Sequence, residues 1–543
     1  MRSAFVKFAV FSLLGIALLG HYWPVTYWLL LLLVPLLIIG MADMLQKKHT
    51  LLRNFPLIGH LRWSMEYFRP FLRQYFFESD TDGTPINRMF RNVIYQRAKG
   101  SNDSTPYGTK LDTQRVGYEW IGHSIAARHY EPHQPAARIS VGGPQCSQPY
   151  LASIFNISAM SFGALSDNAI RALNKGAAQG GFYHNTGEGS VSDYHLEHGG
   201  DLVWQIGTGY FGCRNSQGQF DADAFSNVAA LPNIKMIEIK LSQGAKPGHG
   251  GILPADKNSA EIARIRLVEA GTQVNSPPGH SAFRTPIEMM QFIQQLRQLS
   301  AGKPIGFKLA IGRTSEFVAL CKAMVQTGIY ADFITVDGGE GGTGAAPLEY
   351  SNSVGMPLRE ALAFVCDVLV GFDLKRHIRV IASGKVFTGF HIVKNLALGA
   401  DICNSARGMM VALGCVQSLV CNTNKCPTGI ATQNPALSRG LDVEDKGSRV
   451  ARFHQGTVKA AMEIIASAGL HHTSELNRSH IFRRISETEV RRFDEIYSNL
   501  LPGCLLTEDK PAKFAQAVME ASADSFMPQH YLAETAQGLK TVQ

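Results

Sequence analysis

The chain is longer than one typical domain and only modestly basic. It has 543 residues, of which 45% are hydrophobic, and a formal net charge of +8 at pH 7. A chain of this length and composition can bury a substantial core. Its lysines and arginines are scattered along the sequence, and no nucleic-acid-binding motif accompanies them, so we predict no nucleic-acid partner.

Two apolar segments open the chain. Residues 4–20 and 25–42 form runs of 17 and 18 residues, separated by the short polar and aromatic stretch 21–24. Each run is near the lower length limit for a helix that spans a bilayer. A cleaved signal peptide does not explain the second run. We therefore expect a transmembrane hairpin over residues 1–48, with a single membrane anchor as the alternative.

Positive charges flank the two apolar runs on the same side. Arg2 and Lys7 lie at the start of the first run, and Lys47 and Lys48 follow the second. Because such flanks stay in the cytoplasm, we expect the inner (cytoplasmic) membrane as the location, with the large domain facing the cytoplasm. Nine cysteines without a regular pairing pattern are typical of a reducing compartment.

Residues 49–149 lack a clear repeat or periodic pattern. Aromatic clusters occur at residues 67–68 and 75–77, and turn-rich stretches such as SNDSTPYG follow. We expect an irregular N-terminal subdomain that links the hairpin to the rest of the chain. The aromatic side chains are expected in its core, and a role at the bilayer surface is the alternative.

Beyond residue 149, short β-rich runs alternate with helical stretches. Eight strands are predicted, at residues 155–159, 181–185, 203–207, 235–241, 304–310, 333–337, 379–383 and 401–404. Alternation of strand and helix implies parallel pairing, and eight such units predict an α/β fold with a closed (β/α)₈ TIM barrel. We place the barrel at residues 150–470 and a C-terminal helical segment with a tail at 471–543.

Three cysteines lie close together near the end of the predicted barrel. Cys415, Cys421 and Cys426 are separated by five and four residues, and Pro427 follows the last. Thiolates in a compact loop suit an iron–sulfur cluster or zinc. Cysteine also packs as a small apolar residue, so a purely structural role remains open. His195 and His198 have helical ligand spacing, but no third ligand completes a known zinc motif.

Five motifs of the chain resemble a known family. The stretches ISAMSFGALS, NTGEGS, KLSQGAKPGHGG, DGGEGGTGAAP and CPTGIATQ are similar to the FMN-binding synthase domain of glutamate synthases. The resemblance extends in order from about residue 156 to about residue 435. It implies the same barrel fold, bound FMN, and a [3Fe-4S] cluster on Cys415, Cys421 and Cys426.

The loops at the carboxyl ends of the predicted strands carry the expected cofactor site. Glycines and cations after strands seven and eight fit a phosphate, and a ring over the barrel mouth completes FMN. Lys308 would stabilise the anionic reduced flavin. The predicted cofactor-binding residues are Ser158, Ala159, Met160, Gln205, Lys308, Asp337, Gly339, Gly341, Gly342, Gly384, Lys385, Ala406 and Arg407.

The resemblance also implies a reaction. Family members reduce 2-iminoglutarate, formed from 2-oxoglutarate and ammonia, to L-glutamate. Glu188 and Lys246 match catalytic positions, and Lys246, Arg266 and Ser276 match substrate-binding ones. A dicarboxylate needs such fixed cations.

The chain departs from the family pattern in four places. His249 and Ile252 replace an acidic residue and a glutamine, and Gly279 and Ser281 replace a proline and a histidine. Loss of the glutamine removes a hydrogen bond expected to the substrate, so 2-oxoglutarate is the favoured substrate and not the only one considered.

The glutaminase domain of a full glutamate synthase has no counterpart in this sequence. We therefore expect free ammonia, another amine donor or a separate glutaminase subunit to supply nitrogen, and an electron donor such as ferredoxin. Two alternatives are kept: a related amine-forming or amine-oxidising flavoenzyme of the N-methylglutamate synthase kind, and a non-catalytic electron-transfer subunit.

Overall fold

The computed structural model describes residues 1–130 and 137–529, and the chain forms two compact units, Met1–Pro85 and Ile86–Gln543. Residues 530–543, which belong to the predicted C-terminal tail, lie outside the described part. The four-part division predicted from the sequence stays a prediction.

The first unit is helical. Its helices are α1 (Arg2–Tyr22), α2 (Leu30–Leu45), α3 (Thr50–Asn54) and α4 (Gly59–Leu72), with a 3₁₀ helix at Pro24–Leu29 and a π-helical turn at Arg73–Phe77. Helix α1 and the segment Pro24–Leu45 are long and apolar enough to cross a membrane, by length and composition alone. Trp23 has an extended backbone and Pro24 follows it, which ends the first helix and starts the second.

Two glycines allow close packing within the helical pair of the first unit. A Cβ atom on Gly20 would lie 2.5 Å from the Tyr27 ring, and one on Gly40 would lie 2.2 Å from the Phe5 ring. Small residues at such crossings are typical of helices that associate in a membrane. The two apolar runs therefore contact each other as a helical pair, and their transmembrane position stays a prediction.

The prediction that the aromatic residues after the hairpin form a core is wrong. Tyr67, Phe68, Tyr75, Phe76 and Phe77 are all exposed, and helix α4 buries only Gly59. These aromatic residues lie on a helix and a helical turn and not in an irregular segment. Within the first unit no second element covers them among the described residues.

The second unit contains a closed barrel of eight parallel strands, which confirms the predicted fold. Barrel strands 1 to 8 are Phe155–Ile157, His184–Asn185, Leu202–Ile206, Ile234–Lys240, Ile305–Leu309, Phe333–Asp337, Arg379–Ser383 and Ile402–Ser405. Each strand pairs with the next, and strand 8 pairs with strand 1. Strand 2 starts later than predicted because Gly181 closes the preceding helix with a φ of 63°.

Helices surround the barrel and fill the loops above it. They are α5 (Arg88–Lys99), α6 (Asp167–Gly180), α7 (Asp193–Leu196), α8 (Ala222–Ala229), α9 (Ala260–Arg266), α10 (Pro286–Leu299), α11 (Thr314–Thr327), α12 (Leu348–Ser353), α13 (Leu358–Gly371), α14 (Gly389–Ala397), α15 (Arg407–Leu413), α16 (Pro435–Ser438), α17 (Val443–Ser467), α18 (Phe493–Ile496) and α19 (Ala512–Glu520). Helix α17 packs against α5, α6, α14 and α15.

Three small sheets complete the unit. The hairpin Arg138–Val141 with Tyr150–Ser153 contributes Val141 and Ala152 to an apolar cluster inside the barrel. The hairpin Ile252–Leu253 with Val274–Asn275 encloses α9 in the loop after strand 4. Glu119–Ile121 pairs with Ile481–Arg484, which in turn pairs with Val490–Arg492, so segments before and after the barrel form one sheet.

The barrel interior changes from apolar to charged along the strands. Alternate residues of a strand point to the same face. On strand 4 the successive inward residues are Met236, Glu238 and Lys240, so the interior becomes more polar toward the carboxyl end. Met236 belongs to the apolar cluster inside the barrel, with Tyr183, Val203, Phe333, Ile381 and Ile402. Polar residues lie above this cluster, and the charged ones lie at the carboxyl ends of the strands. The fold therefore places the chemistry where such barrels carry it.

Candidate active site

A buried carboxylate organises the polar layer of the barrel. Glu238 is 1% exposed and accepts hydrogen bonds from Asn185 Nδ2 (2.9 Å), Gln205 Nε2 (2.7 Å) and Thr335 Oγ1 (2.5 Å). A buried charge is tolerated only when it is paired or fully hydrogen-bonded. The side-chain nitrogen of Gln205, a residue predicted to contact a cofactor, therefore donates to Glu238 inside the barrel.

Lys308 and Asp337 form an ion pair on the ends of strands 5 and 6. Lys308 Nζ lies 3.2 Å from Asp337 Oδ2, and both side chains are buried. Burial opposes the charged amine, but Asp337 and Glu238 outweigh it and raise the pKa of Lys308. Asp337 Oδ2 also accepts from Gly244 N at 2.9 Å. Lys308 is therefore a fixed positive charge under the barrel mouth.

Glu188 lies among cations at the mouth. Its Oε1 atom lies 3.0 Å from Lys240 Nζ. Burial alone would raise the pKa of the Glu188 carboxyl, but Lys240, Arg266 and Lys246 together lower it below its ordinary value. The carboxyl is therefore ionised at neutral pH. The TGEG turn that carries it packs on the loop after strand 1, because a Cβ atom on Gly187 would lie 2.8 Å from Ser161 N.

Arg266 reaches the same site from the end of α9. Its Nη2 donates to the Phe162 carbonyl at 2.9 Å, and its guanidinium lies 5.2 Å from the centre of the Phe211 ring. Burial lowers the pKa of Arg266 to about 10, with Glu188 acting in the opposite direction. Its Nε is buried without a hydrogen-bond partner in the described residues. The guanidinium is thus held in place, and among the described residues its Nε–H donor has no hydrogen-bond acceptor.

Lys246 and Ser276 complete the group of predicted substrate residues. Lys246 is 6% exposed, and burial lowers the pKa of its amine, with Glu188 opposing and Lys240 adding to that shift. Ser276 N donates to Gly251 O at 2.9 Å. A Cβ atom on Gly251 would lie 2.7 Å from Glu188 Oε1 and 3.4 Å from Ser276 Oγ, so glycine is required for this close approach.

The charges at this site do not cancel. Three cations, Lys240, Lys246 and Arg266, act on one carboxylate, Glu188. The excess of positive charge, in a partly buried setting where Coulomb interactions are strong, favours an anionic ligand with two negative charges. The fold brings together four of the residues that the sequence predicted for substrate and catalysis: Glu188, Lys246, Arg266 and Ser276.

A second cationic site lies in the loops after strands 7 and 8. Burial lowers the pKa of the Lys385 amine, and the nearby Arg407 guanidinium lowers it further. Lys385 has a φ of 49°, and Arg407 is the first residue of α15. Arg407 Nη2 donates to Glu340 O at 2.5 Å. A Cβ atom on Gly342 would lie 2.8 Å from Arg407 Nε. An exposed lysine and a partly buried arginine that repel each other fit a phosphate group.

The other predicted cofactor residues lie around the same mouth. Ser158 Oγ is 3.4 Å from Ser383 Oγ, which links the ends of strands 1 and 7. Gly339 approaches Gly355 O closely, and Gly341 packs against Asp337. Gly384 has a φ of 147°, and a Cβ atom there would lie 3.4 Å from Leu358 Cδ2. Ala406 precedes α15, and Ala159 and Met160 follow strand 1. These residues lie at the carboxyl ends of the strands, and their roles stay predictions.

The three predicted cluster cysteines are neighbours. Burial raises the pKa of the Cys415 thiol to about 11, and Cys421 and Cys426 add to this shift. Cys426 behaves differently: burial would raise its pKa, but the Thr428 hydroxyl and nearby backbone N–H groups lower it. Among the residues that the structure describes, no trio of His, Cys, Asp or Glu side chains forms a ready metal-binding set.

Lys257 points at the cysteine loop. Its Nζ donates to Cys421 O at 3.0 Å, and the residue is 4% exposed. The Gln417 N–H donates to Cys415 Sγ at 3.4 Å. A hydrogen bond to sulfur and a nearby cation favour the thiolate form that binds iron, and the [3Fe-4S] cluster stays a prediction.

The histidine pair considered for zinc has other surroundings. His195 Nδ1 lies 2.8 Å from Ser192 Oγ, and its ring centre is 5.2 Å from that of His184. Both ring nitrogens of His184 are buried without partners in the described residues. Burial lowers the pKa of His195 to about 3. These rings are packed between strand 2 and α7 and stay neutral.

Sequence reasoning assigned no role to three residues that shape the site. Lys240 pairs with Glu188, Glu238 orders the polar layer, and His280 Nε2 lies 2.9 Å from Lys240 O. The signal for the first two was the inward alternation along strand 4, which places every second residue in the barrel. No sequence signal indicates the position of His280.

Fold and site together define a (β/α)₈-barrel protein whose mouth is built for anionic small molecules. Residues 127–471 match the family described as the conserved region in glutamate synthase. The glutamate synthase large subunit-like protein YerD of Bacillus subtilis is 34% identical and covers 84% of this chain and 94% of its own length. The chain therefore belongs to the glutamate synthase family and is an oxidoreductase of glutamate synthase type.

Two further relatives agree with this assignment. A glutamate synthase large subunit-like protein of Rhizobium meliloti is 30% identical over 72% of this chain and 88% of its own length. The archaeal glutamate synthase [NADPH] of Methanocaldococcus jannaschii is 34% identical over 59% of this chain. The match spans only 60% of that archaeal protein's length.

Proposed function

We propose that this chain reduces 2-iminoglutarate, formed from 2-oxoglutarate and ammonia, to L-glutamate, using FMN and a [3Fe-4S] cluster. One observation carries the proposal: Lys240, Lys246 and Arg266 act together on the single carboxylate of Glu188. A dicarboxylate keto acid supplies two negative charges that this site lacks. The resemblance of the surrounding motifs to glutamate synthases supports the same substrate.

The residues at the barrel mouth bind the substrate and transfer a proton to the product. Arg266 has a free Nε and a fixed position, which suits a carboxylate of the substrate. Ionised Glu188 stabilises the positive charge of a protonated imine. Lys246, whose pKa is lowered by burial, delivers a proton to the amine nitrogen after its carbon has accepted hydride. Lys246 also contributes positive charge to substrate binding, so its substitution should affect both binding and proton transfer.

FMN supplies the hydride when it is bound. Lys385, Arg407 and the backbone around Gly384 would hold its phosphate, and the positive charge of Lys308 would stabilise negative charge on the reduced ring. Cys415, Cys421 and Cys426 would hold the cluster, which would deliver electrons from a donor such as ferredoxin. These assignments rest on the fit of the residues and on the family resemblance.

The proposal includes a location and partners. We propose that the hairpin of α1 and α2 anchors the chain to the inner membrane and that the barrel faces the cytoplasm, because positively charged flanks stay on the cytoplasmic side. Nitrogen comes from free ammonia, from another amine donor or from a separate glutaminase subunit. The apolar helices and the charges that flank them support this arrangement.

The experiment begins with anaerobic purification of the full chain in detergent and reduction of its flavin. Addition of 2-oxoglutarate with ammonium should reoxidise the flavin rapidly and yield stoichiometric glutamate. Pyruvate with ammonium, a monocarboxylate control, should reoxidise it far more slowly. A flavin that stays reduced with 2-oxoglutarate, while flavin and cluster are both present, would contradict the proposed substrate.

A further inference from the structure

The segment after the hairpin exposes an unusually large apolar surface. Its residues are part of α4 and of the π-helical turn that follows, and their exposures lie between 39% and 79%. The exposed large apolar side chains are Ile58, Leu61, Trp63, Met65, Tyr67, Phe68, Phe71, Leu72, Tyr75, Phe76 and Phe77. Soluble surfaces rarely carry a contiguous apolar patch of this kind without a partner.

The apolar residues lie on one side of the helix. Ile58, Leu61, Met65, Phe68 and Leu72 follow the i, i+3, i+7, i+10, i+14 spacing of a single helical face. Tyr67, Phe71 and Tyr75 form the adjacent row at spacings of four residues. The two rows together make a broad apolar face along a helix about 21 Å long.

The strip beside this face is charged and mainly basic. Arg62, Glu66, Arg69 and Arg73 follow one another at helical spacing, and all are exposed. Arg62 Nη2 lies 3.6 Å from Glu66 Oε1. Three arginines against one glutamate leave the strip positive. A broad aromatic and aliphatic face beside a basic strip is the pattern of a helix that lies in a membrane interface.

The chain fixes this helix beside the end of the second apolar helix. Asp43, near the end of α2, is buried, and its Oδ2 accepts from Leu57 N at 3.0 Å. Asp43 Oδ1 lies 2.8 Å from His60 Nε2, in the first turn of α4. Lys47 and Lys48 lie between the two helices and mark the level of lipid headgroups. Helix α4 therefore starts where the hairpin leaves the apolar zone.

We propose that the segment 58–77 lies in the cytoplasmic lipid–water interface, with its apolar face in the acyl region and Arg62, Arg69 and Arg73 among anionic headgroups. This inference rests on the proposed membrane anchoring by α1 and α2. A second copy of the chain is the competing cover for the face. The basic strip and the direct continuation from two membrane-length helices favour the bilayer.

The test uses the full chain reconstituted into phosphatidylcholine vesicles, with and without phosphatidylglycerol. Trp23, Trp28, Trp63 and Trp120 are replaced by Phe, and the fully buried Trp204 stays as an internal reference. Two probes are then compared in this background: Phe68→Trp on the apolar face and Glu66→Trp on the charged strip. Quenching is measured with a lipid that carries a nitroxide near the start of its acyl chain, and with aqueous iodide.

The two probes should respond oppositely. We expect nitroxide to quench the probe at position 68 several-fold more than the probe at position 66, and iodide to do the reverse. Replacing Arg62, Arg69 and Arg73 together by Gln should remove any extra nitroxide quenching seen with phosphatidylglycerol.

Four outcomes would overturn the proposal. Iodide quenching at position 68 would show a face open to water, and protection of position 68 from both quenchers would show a protein cover such as a second copy. A chain that does not float with the vesicles would instead refute the membrane anchoring itself, and the interfacial position with it. Flotation without nitroxide quenching would refute only the interfacial position.

Discussion

Glu188 shows how a residue acquires its character from its neighbours. Its side chain belongs to the TGEG turn, and Lys240, Arg266 and Lys246 keep it ionised. The folded-state pKa of Glu188 lies below its ordinary value. The ion pairing therefore stabilises the fold at pH values above the ordinary pKa, and this stabilisation is lost as the pH falls through the folded-state pKa. At neutral pH the site therefore retains one anion and three cations.

Lys246 should be needed for substrate binding. We expect Lys246→Met to raise the KM for 2-oxoglutarate by roughly tenfold to a hundredfold, because a hydrogen bond to a charged group contributes about 1.5–3 kcal/mol. Steady-state kinetics at fixed ammonium measures the change. Lys235→Met is the matched control, since Lys235 lies near the opposite end of strand 4 with 39% side-chain exposure. Equal effects of the two variants would contradict the role of Lys246.

Lys257 should tune the proposed cluster. Its buried ammonium, 3.0 Å from Cys421 O, favours the reduced cluster, which carries one more negative charge. We expect Lys257→Met to lower the ratio of reduced to oxidised cluster about tenfold at a fixed potential. This corresponds to a decrease of about 59 mV in the reduction potential for one electron. An EPR-monitored redox titration measures it, and Lys257→Arg should keep most of the wild-type value.

The outcomes of that titration separate two failures. An EPR-active cluster with an unchanged potential in Lys257→Met would contradict the tuning role alone. A wild-type chain purified anaerobically with iron and sulfide supplied, yet without a cluster signal, would instead contradict the proposed ligands Cys415, Cys421 and Cys426.

At the scale of elements, helices α6 and α17 form the most extensive helix contact of the second unit. Gly176 allows it, because a Cβ atom there would lie 2.7 Å from Val450 and 2.8 Å from Gly447 O. Ser166 Oγ at the start of α6 accepts from Ala169 N and donates to Gly429 O, so the same helix also holds the end of the cysteine loop. This helix pair thus supports the proposed cluster site.

Gly176→Ala should destabilise the barrel unit although alanine favours helix. Helix propensity alone would add about 1 kcal/mol of stability, but the new methyl group meets backbone, and overpacking costs about 1–3 kcal/mol. We expect a lower free energy of unfolding in denaturant titrations. Ala178→Gly, at an exposed position of the same helix, measures the propensity term alone. A stabilised Gly176→Ala variant would contradict the close packing.

At the scale of the whole molecule, buried neutral histidines link stability to pH. Burial lowers the pKa of His195, His391 and His454 to about 3 and that of His280 to about 4, from an ordinary value of 6.5. The unfolded chain binds these protons below about pH 6.5, but the folded chain does so only near pH 3 to 4. Acid therefore favours unfolding within that window.

His454 offers a test of this linkage. Its ring stacks on Phe182 at 3.9 Å and its Nε2 lies 2.9 Å from Ser153 Oγ. We expect the unfolding free energy of the wild type to fall between pH 6.5 and pH 4. The unfolding free energy of His454→Gln should decrease less steeply than that of the wild type, with slopes that differ by up to about 1.4 kcal/mol per pH unit. Denaturant titrations across this range in detergent measure the slopes, and parallel curves would contradict the assignment.

The sequence by itself determined the barrel, the two apolar runs and the position of Glu188 and Lys246 in loops at the strand ends, whereas the family resemblance added Arg266. The reason is local: strand and helix periodicities are encoded in short stretches, and parallel strands necessarily gather their carboxyl ends. Motif resemblance added the cofactor and cluster residues, whose roles remain proposals.

Only the tertiary structure decided which side chains share an environment. It paired Lys240 with Glu188 across two strands, aimed Lys257 at the cysteine loop from the loop after strand 4, and exposed Phe68 with its aromatic neighbours. The physical reason is that burial and Coulomb interactions depend on distances between residues far apart in the chain. An aromatic residue in sequence is equally compatible with a core and with an exposed helix face, and packing alone distinguishes them.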